Sequence, residues 1–145
     1  MCGVDLDLFI AVPADPEILT DAASCGRFPY CANPKLFETQ ELLRISQAPG
    51  KGYLTLLVQR WPDSEQPKYR TIADGAGVSI QSKGREDRLF ISPVKASYKD
   101  EIVTFAGRTG FARIGGSVPL RLMFAGGQIS SKGITLKSER PASMI

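Results

Sequence analysis

The stretch IVTFAGRTGFARIGGSVPLRLMFAGG, residues 102–127, decides how this chain is read. Ile102–Ala106 and Phe111–Ile114 are rich in β-branched and aromatic residues, as short strands are. In Val118–Phe124, the residues Val118, Leu120, Leu122 and Phe124 share one face and Arg121 lies opposite, the period of two that a half-buried strand requires. Glycines punctuate these runs. Gly107-Arg108-Thr109-Gly110 reads as a hairpin loop. Gly115-Gly116 and Gly126-Gly127 read as two-residue hairpin turns, because glycine supplies the positive φ such turns need. With Ile129–Leu136 added, the last three strands form an antiparallel meander, and residues 137–145 are expected to be a flexible tail.

The same texture extends upstream. Tyr53–Arg60 predicts a strand with Leu54, Leu56 and Val58 inward, and Tyr69–Ala73, Val78–Ser82 and Leu89–Ser92 follow as short strands bounded by Gly, Pro, Asp or Ser. At the start of the chain Val4, Leu6, Leu8, Ile10 and Val12 fall on one face of a strand, with Asp5 and Asp7 on the other. Asp15-Pro16-Glu17 has the form of a helix start: a capping acid, a proline at the first helical position and an acid in the first turn. Asn33-Pro34 repeats the cap and proline. These predict two short helices, over 16–24 and 34–47. The fold expected is therefore α+β: a mainly antiparallel sheet or small sandwich with an N-terminal strand and two short helices, in one domain over residues 1–136.

Composition narrows the chemistry. The chain has 145 residues, enough for one domain that buries roughly 68–70% of its unfolded surface. It contains no histidine, which excludes Ser-His-Asp and Cys-His relays, His-ligated zinc or haem, and imidazole base catalysis. The net charge of +3 is unevenly distributed. Residues 1–50 carry Arg27, Lys35 and Arg44 against seven acids, a net of −4, and residues 51–145 carry 15 bases against 8 acids, a net of +7. Such a chain is dipolar, with Arg108, Arg113, Arg121, Lys132 and Lys137 as candidate anion-binding residues on neighbouring strands and turns of its basic half. Few aromatics accompany them, so base stacking is not indicated.

Other motifs bear on chemistry. Met1-Cys2-Gly3 resembles the start of the N-terminal nucleophile glutamine amidotransferases, in which a terminal cysteine is the nucleophile and its own α-amino group the base. The resemblance covers three residues, and no glutamine-binding or oxyanion motif follows. Phe28-Pro29-Tyr30-Cys31 resembles the entry loop of thioredoxin-like and glutathione-transferase proteins, but Cys25 and Cys31 are six apart rather than in Cys-x-x-Cys spacing, and read as small buried hydrophobes. Gly107-Arg108-Thr109-Gly110 has the Gly-x-x-Gly form of the RNA-clamping KH loop, although β-type sequence flanks it where KH loops join helices. Asp5 and Asp7 could hold a divalent cation at a strand end, but here they begin a strand and read as a solvated face. No metal site and no cofactor is expected.

Three cysteines form no paired framework, and the acidic start with a five-residue apolar run matches neither a secretory signal nor a membrane span, so an intracellular or cytoplasmic setting is expected. Function is read as a non-catalytic, self-associating structural or assembly protein, viral matrix or coat-like in type. The partner classes expected are another copy of the chain (a homo-oligomer) and, through the basic half, RNA or an anionic membrane. The alternative is a small enzyme using Cys2 as N-terminal nucleophile, or a thiol redox protein.

Overall fold

A computed structural model describes residues 5–24, 39–48, 52–116 and 120–144. The described elements are strands: β1 (Asp5–Val12), β2 (Glu17–Ser24), β3 (Thr39–Ser46), β4 (Leu54–Arg60), β5 (Lys68–Ile72), β6 (Gly77–Ser82), β7 (Arg85–Lys99), β8 (Val103–Gly115), β9 (Arg121–Ser131) and β10 (Ile134–Met144), with one 3₁₀ turn at Ala73–Gly75. The chain divides into two compact units, Pro13–Gly52 and the remainder.

The α+β expectation is corrected: no α-helix occurs among the described residues. Where a helix over 16–24 was expected, Glu17–Ser24 is extended and pairs antiparallel with Thr39–Ser46, which takes most of the second expected helix. The misreading has a physical origin. Proline fixes φ near −65°, a value that suits the first turn of a helix and also the entry to a strand. In this first unit the pairing continues without a shift from Glu17↔Ser46 to Ser24↔Thr39.

The second unit holds a six-stranded antiparallel sheet in the order β10-β9-β8-β7-β6-β5, and a separate antiparallel pair, β1-β4. The six strands follow each other in sequence, each antiparallel to its neighbour. Two described connections are two-residue loops, Lys83-Gly84 between Ser82↔Arg85 and Lys132-Gly133 between Ser131 and Ile134. All four loop residues have positive φ, between 50° and 78°, as a type I′ turn demands. The segment expected as a tail is occupied by β10, which stays paired with β9 to Met144↔Leu122.

One face of the sheet carries the core. Phe90, Val103, Phe105, Ala112, Leu122, Phe124 and Ile129 are buried on it, with Phe90 stacked on Phe105 at 4.3 Å between centroids. Along β8 the buried positions are 103, 105 and 107, then 110, 112 and 114. The alternation breaks once, at Arg108 and Thr109, which are both exposed.

That break belongs to a bend crossing four strands. Ile91 pairs with Thr109 and Ala96 with Gly107, so four residues of β7, 92–95, stand against the single Arg108. On β9 the neighbouring position is Gly126, with φ of 65°, followed by Gly127 at 133°. On β10, Ser138 pairs with Gly127 and Pro141 with Ala125, so Glu139 and Arg140 stand against Gly126. Bulges increase local twist and bend the strand, and here they align from β7 to β10. The expected hairpins at Gly107–Gly110 and Gly126-Gly127 are therefore corrected: both lie inside strands. Their glycines allow close backbone approach instead. A Cβ on Gly127 would lie 2.0 Å from the Ala106 carbonyl oxygen, and one on Gly110 2.5 Å from the Phe105 ring.

The β1–β4 pair reverses the facing expected for the N-terminal strand. Leu6 is 64% exposed and Leu8 is also exposed. Asp7 points to the other side with Phe9, whose ring stacks on Tyr69 of β5 at 5.3 Å. Asp5 lies opposite Arg60 in the register. The Arg60 guanidinium bridges Asp5 at 2.8 Å and Asp7 at 3.0 Å, and the Tyr69 hydroxyl donates to Asp7 at 2.9 Å. The solvated-face reading of Asp7 is thus overturned by a cation 53 residues away that the local pattern does not reveal.

Candidate anion-binding groove

The bend opens a groove of about 1150 Å³ across β7, β8, β9 and β10. Its floor has almost no side chains: Ala96, Ala106, Gly107, Ala125, Gly126 and Gly127 line it. Around that floor stand Lys95, Arg108 and Lys137, with Ser97, Gln128 and Ser138 as neutral hydrogen-bonding groups and Glu139 as the one acid. The register explains the assembly. Ala106 faces Ser97 on one side and Gln128 on the other, and Gln128 in turn faces Lys137. These side chains thus form one transverse row beside the bend. Lys95 ends the four-residue bulge of β7, and Arg108 is one of the two successive outward residues of β8.

Lys95, Arg108 and Lys137 are all exposed and enter no ion pair among the described residues. A second recess of about 440 Å³ provides a contrast. It mixes Lys68, Lys83 and Arg85 with Glu65 and Glu86, a net of +1 against +2 in the groove.

The five candidate residues read from the sequence fall into three places. Arg108 and Lys137 meet in the groove. Lys132 sits in the exposed turn after β9. Arg113 and Arg121 face each other across β8 and β9. Arg113 is fully engaged: its Nε and Nη2 donate to the two Asp87 oxygens at 2.7 and 2.8 Å, and its guanidinium lies 5.5 Å from the Phe111 ring centroid. The buried Nε of Arg121 has no hydrogen-bond partner among the described residues. Lys95 belongs to the groove but is not among the five residues the sequence suggests, since it lies upstream of the strongly basic stretch after residue 105. Pro93 just before it was the available signal, since proline inside a strand marks a bulge or an edge.

A different charged cluster lies on the buried side. Arg88 is 2% exposed. Its Nε donates to Glu86 at 2.8 Å and its Nη1 to Asp100, while Ser79 donates to Glu86 at 2.7 Å and Tyr98 to Asp100 at 2.8 Å. Asp100 also accepts the backbone N–H groups of Ile102 and Val103, both at 2.8 Å, tying down the β7–β8 turn. Burial alone would raise the Asp100 carboxyl. The two backbone donors, the Tyr98 hydroxyl and the Arg88 charge outweigh it and bring the pKa down to about 2. At the β1–β4 cluster, burial and the Asp7 carboxylate push the Tyr69 hydroxyl up to about 12. These groups are saturated by one another, which marks a structural clamp rather than a reactive site.

Cys2, Cys25 and Cys31 lie outside the described residues. Among the described residues, no group of three Cys, Asp or Glu side chains could hold a metal ion, and no helix is long and apolar enough to cross a membrane. No protein-family model, curated protein or solved structure significantly matches the chain.

Proposed function

We propose that the chain is a non-catalytic, self-associating structural protein whose basic half contacts an anionic partner. The observation that carries this reading is the groove, where three cations that enter no ion pair among the described residues, with Glu139 as the one acid, surround a floor of small residues. Unpaired cations gathered in one concavity raise the local positive potential, because the low-dielectric walls focus their field. Paired cations such as Arg113 contribute little, since Asp87 neutralises them at short range.

Two features support self-association. Leu6 and the pair Leu8↔Leu57 present an apolar surface on one side of β1–β4, with Leu57 62% exposed. Apolar surface of this kind gains free energy when a second copy covers it. The opposite charge of residues 1–50 and 51–145 then favours contact between the acidic part of one copy and the basic part of another. Sedimentation velocity over a concentration series, at about 50 and 500 mM salt, tests this reading. The sedimentation coefficient should rise with concentration and rise less at high salt. A single monomeric boundary throughout would overturn self-association.

A further inference from the structure

We infer that the bent-sheet groove seats the sugar-phosphate backbone of single-stranded RNA and reads no base sequence. This rests on the anionic-partner reading above and names the partner.

The groove crosses four strands, so its floor is about 14 Å long at the usual strand spacing. A linear polymer can lie along it, because the floor residues carry at most a methyl group and the chain approaches the backbone closely. Lys95, Arg108 and Lys137 come from three different strands and flank that path, placing up to three positive charges beside successive phosphates. Ser97, Gln128 and Ser138 add neutral hydrogen-bonding groups suited to ribose hydroxyls and phosphate oxygens.

Shape favours a single strand over other polyanions. A bilayer surface is flat on this scale and would touch the rim while leaving the recessed floor unfilled. An acidic peptide commonly docks on a free sheet edge or fills apolar pockets with alternate side chains. This floor lies on strands paired on both sides at β8 and β9, and no large apolar side chain lines it. The lining contains no Phe, Tyr or Trp, so bases have no stacking platform and binding is independent of sequence.

The test uses the full chain and a fluorescein-labelled, mixed-sequence RNA of about 20 nucleotides, followed by anisotropy. The expected Kd at physiological salt is in the non-specific range of about 10⁻⁴–10⁻⁶ M. Between about 50 and 200 mM salt, log K should fall with log salt at a slope near −2, the value for three phosphates on a single strand. The triple variant Lys95→Ala/Arg108→Ala/Lys137→Ala should weaken binding at least about tenfold and flatten the slope towards zero. A control pair at the second recess, Lys68→Ala/Lys83→Ala, should leave binding within about twofold, as expected of charges outside the contact.

Heparin and vesicles containing phosphatidylserine are run as parallel probes on wild type and triple variant. If the triple variant loses heparin or vesicle binding while RNA never binds, the RNA assignment is overturned and the anionic-partner reading stands. If none of the three probes binds at low salt, both fail. RNA binding that is indifferent to the triple variant overturns the groove as the site, and a preference above about tenfold for one homopolymer over another overturns backbone-only contact.

Discussion

The two sides of the bent sheet use cations in opposite ways. On the buried side, Arg88 is enclosed by Glu86, Asp100 and Tyr98. On the outer side, a few residues along the same strand, Lys95 joins Arg108 and Lys137 around an open floor with a single acid beside them. One set is buried and ion-paired, the other exposed and without an ion pair among the described residues. Net charge therefore says little about binding until each cation has been matched to its partner. Of the positive charge in residues 51–145, Arg60, Arg85, Arg88 and Arg113 are held in ion pairs with carboxylates of the same unit.

The sharpest way to break this contrast is Arg88→Ala. Removing the guanidinium leaves Glu86 and Asp100 partly buried beside one another without their cation, and loss of one partner of a buried pair costs about 3–5 kcal/mol. Urea unfolding should show that loss at neutral pH with RNA binding unchanged wherever the variant is folded. A cost below about 1 kcal/mol would mean that the cluster is not the clamp described here.

The bend that separates the two sides is tested by Gly127→Ala. Gly127 has a φ of 133°, and an added Cβ would lie 2.0 Å from the Ala106 carbonyl oxygen, a backbone atom with little freedom to move. Backbone strain and overpacking together should cost at least about 2 kcal/mol. The groove floor should deform as well, so RNA affinity should fall even under conditions where the variant remains folded. Gly133→Ala is the comparison: its Cβ would meet nothing within 4 Å, so only the strain of its φ of 78° applies.

How much of this was legible in the sequence follows from the range of each signal. Period-two alternation found β4 and part of β9, because burial of one face acts residue by residue along a strand, and β-rich runs between turn residues found parts of β5 to β8. The helices at 16–24 and 34–47 were misread because Pro16 and Pro34 constrain only φ, and the choice between helix and strand is made by a partner strand elsewhere. The bend was invisible for a related reason. Gly126-Gly127 satisfies the local rule for a hairpin turn, yet Gly107 sits directly opposite Gly127 and the close backbone approach there requires glycine. The fate of each cation was the least legible feature. Arg113 finds Asp87 at a separation of 26 residues and Arg60 finds Asp7 at 53, so pairing depends on register, which no local pattern encodes. Arg108 and Lys137 are named by the sequence only as members of the basic half, and the structure places both in the groove; Lys95 enters it through the bulge.

The buried cluster also predicts a pH response. Asp100 has a folded pKa of about 2 against an ordinary value of 3.8. A carboxylate whose folded pKa is depressed contributes stability that is fully present above the ordinary value and is lost as pH falls through the folded one. Stability should therefore decline between about pH 4 and pH 2 through this group, and Glu86, also held low by Arg88 and Ser79 against the opposing effect of burial, adds in the same direction. Asp100→Asn should remove about 1–2 kcal/mol at pH 7 and flatten the acid limb of the stability profile. An unchanged acid limb would place the titrating carboxylates elsewhere.

The smallest effect is the one that decides whether the unpaired cations belong to the fold at all. Lys95→Ala, Arg108→Ala and Lys137→Ala remove exposed side chains that make no ion pair among the described residues, and surface substitutions of this kind change stability by no more than about 0.5 kcal/mol each. The direction can even be favourable, because the three like charges repel one another across the groove and truncation relieves that repulsion. If so, the triple variant should unfold at an equal or slightly higher urea concentration than wild type in low salt, and the difference should shrink as salt screens the charges. A loss of more than about 2 kcal/mol in the triple variant would mean that these side chains hold the bend together, and the division of the sheet into a clamped side and a free side would fail. Retained or improved stability would instead identify a concentration of charge that the fold tolerates without drawing on it, which is the condition expected of residues kept for a partner rather than for structure.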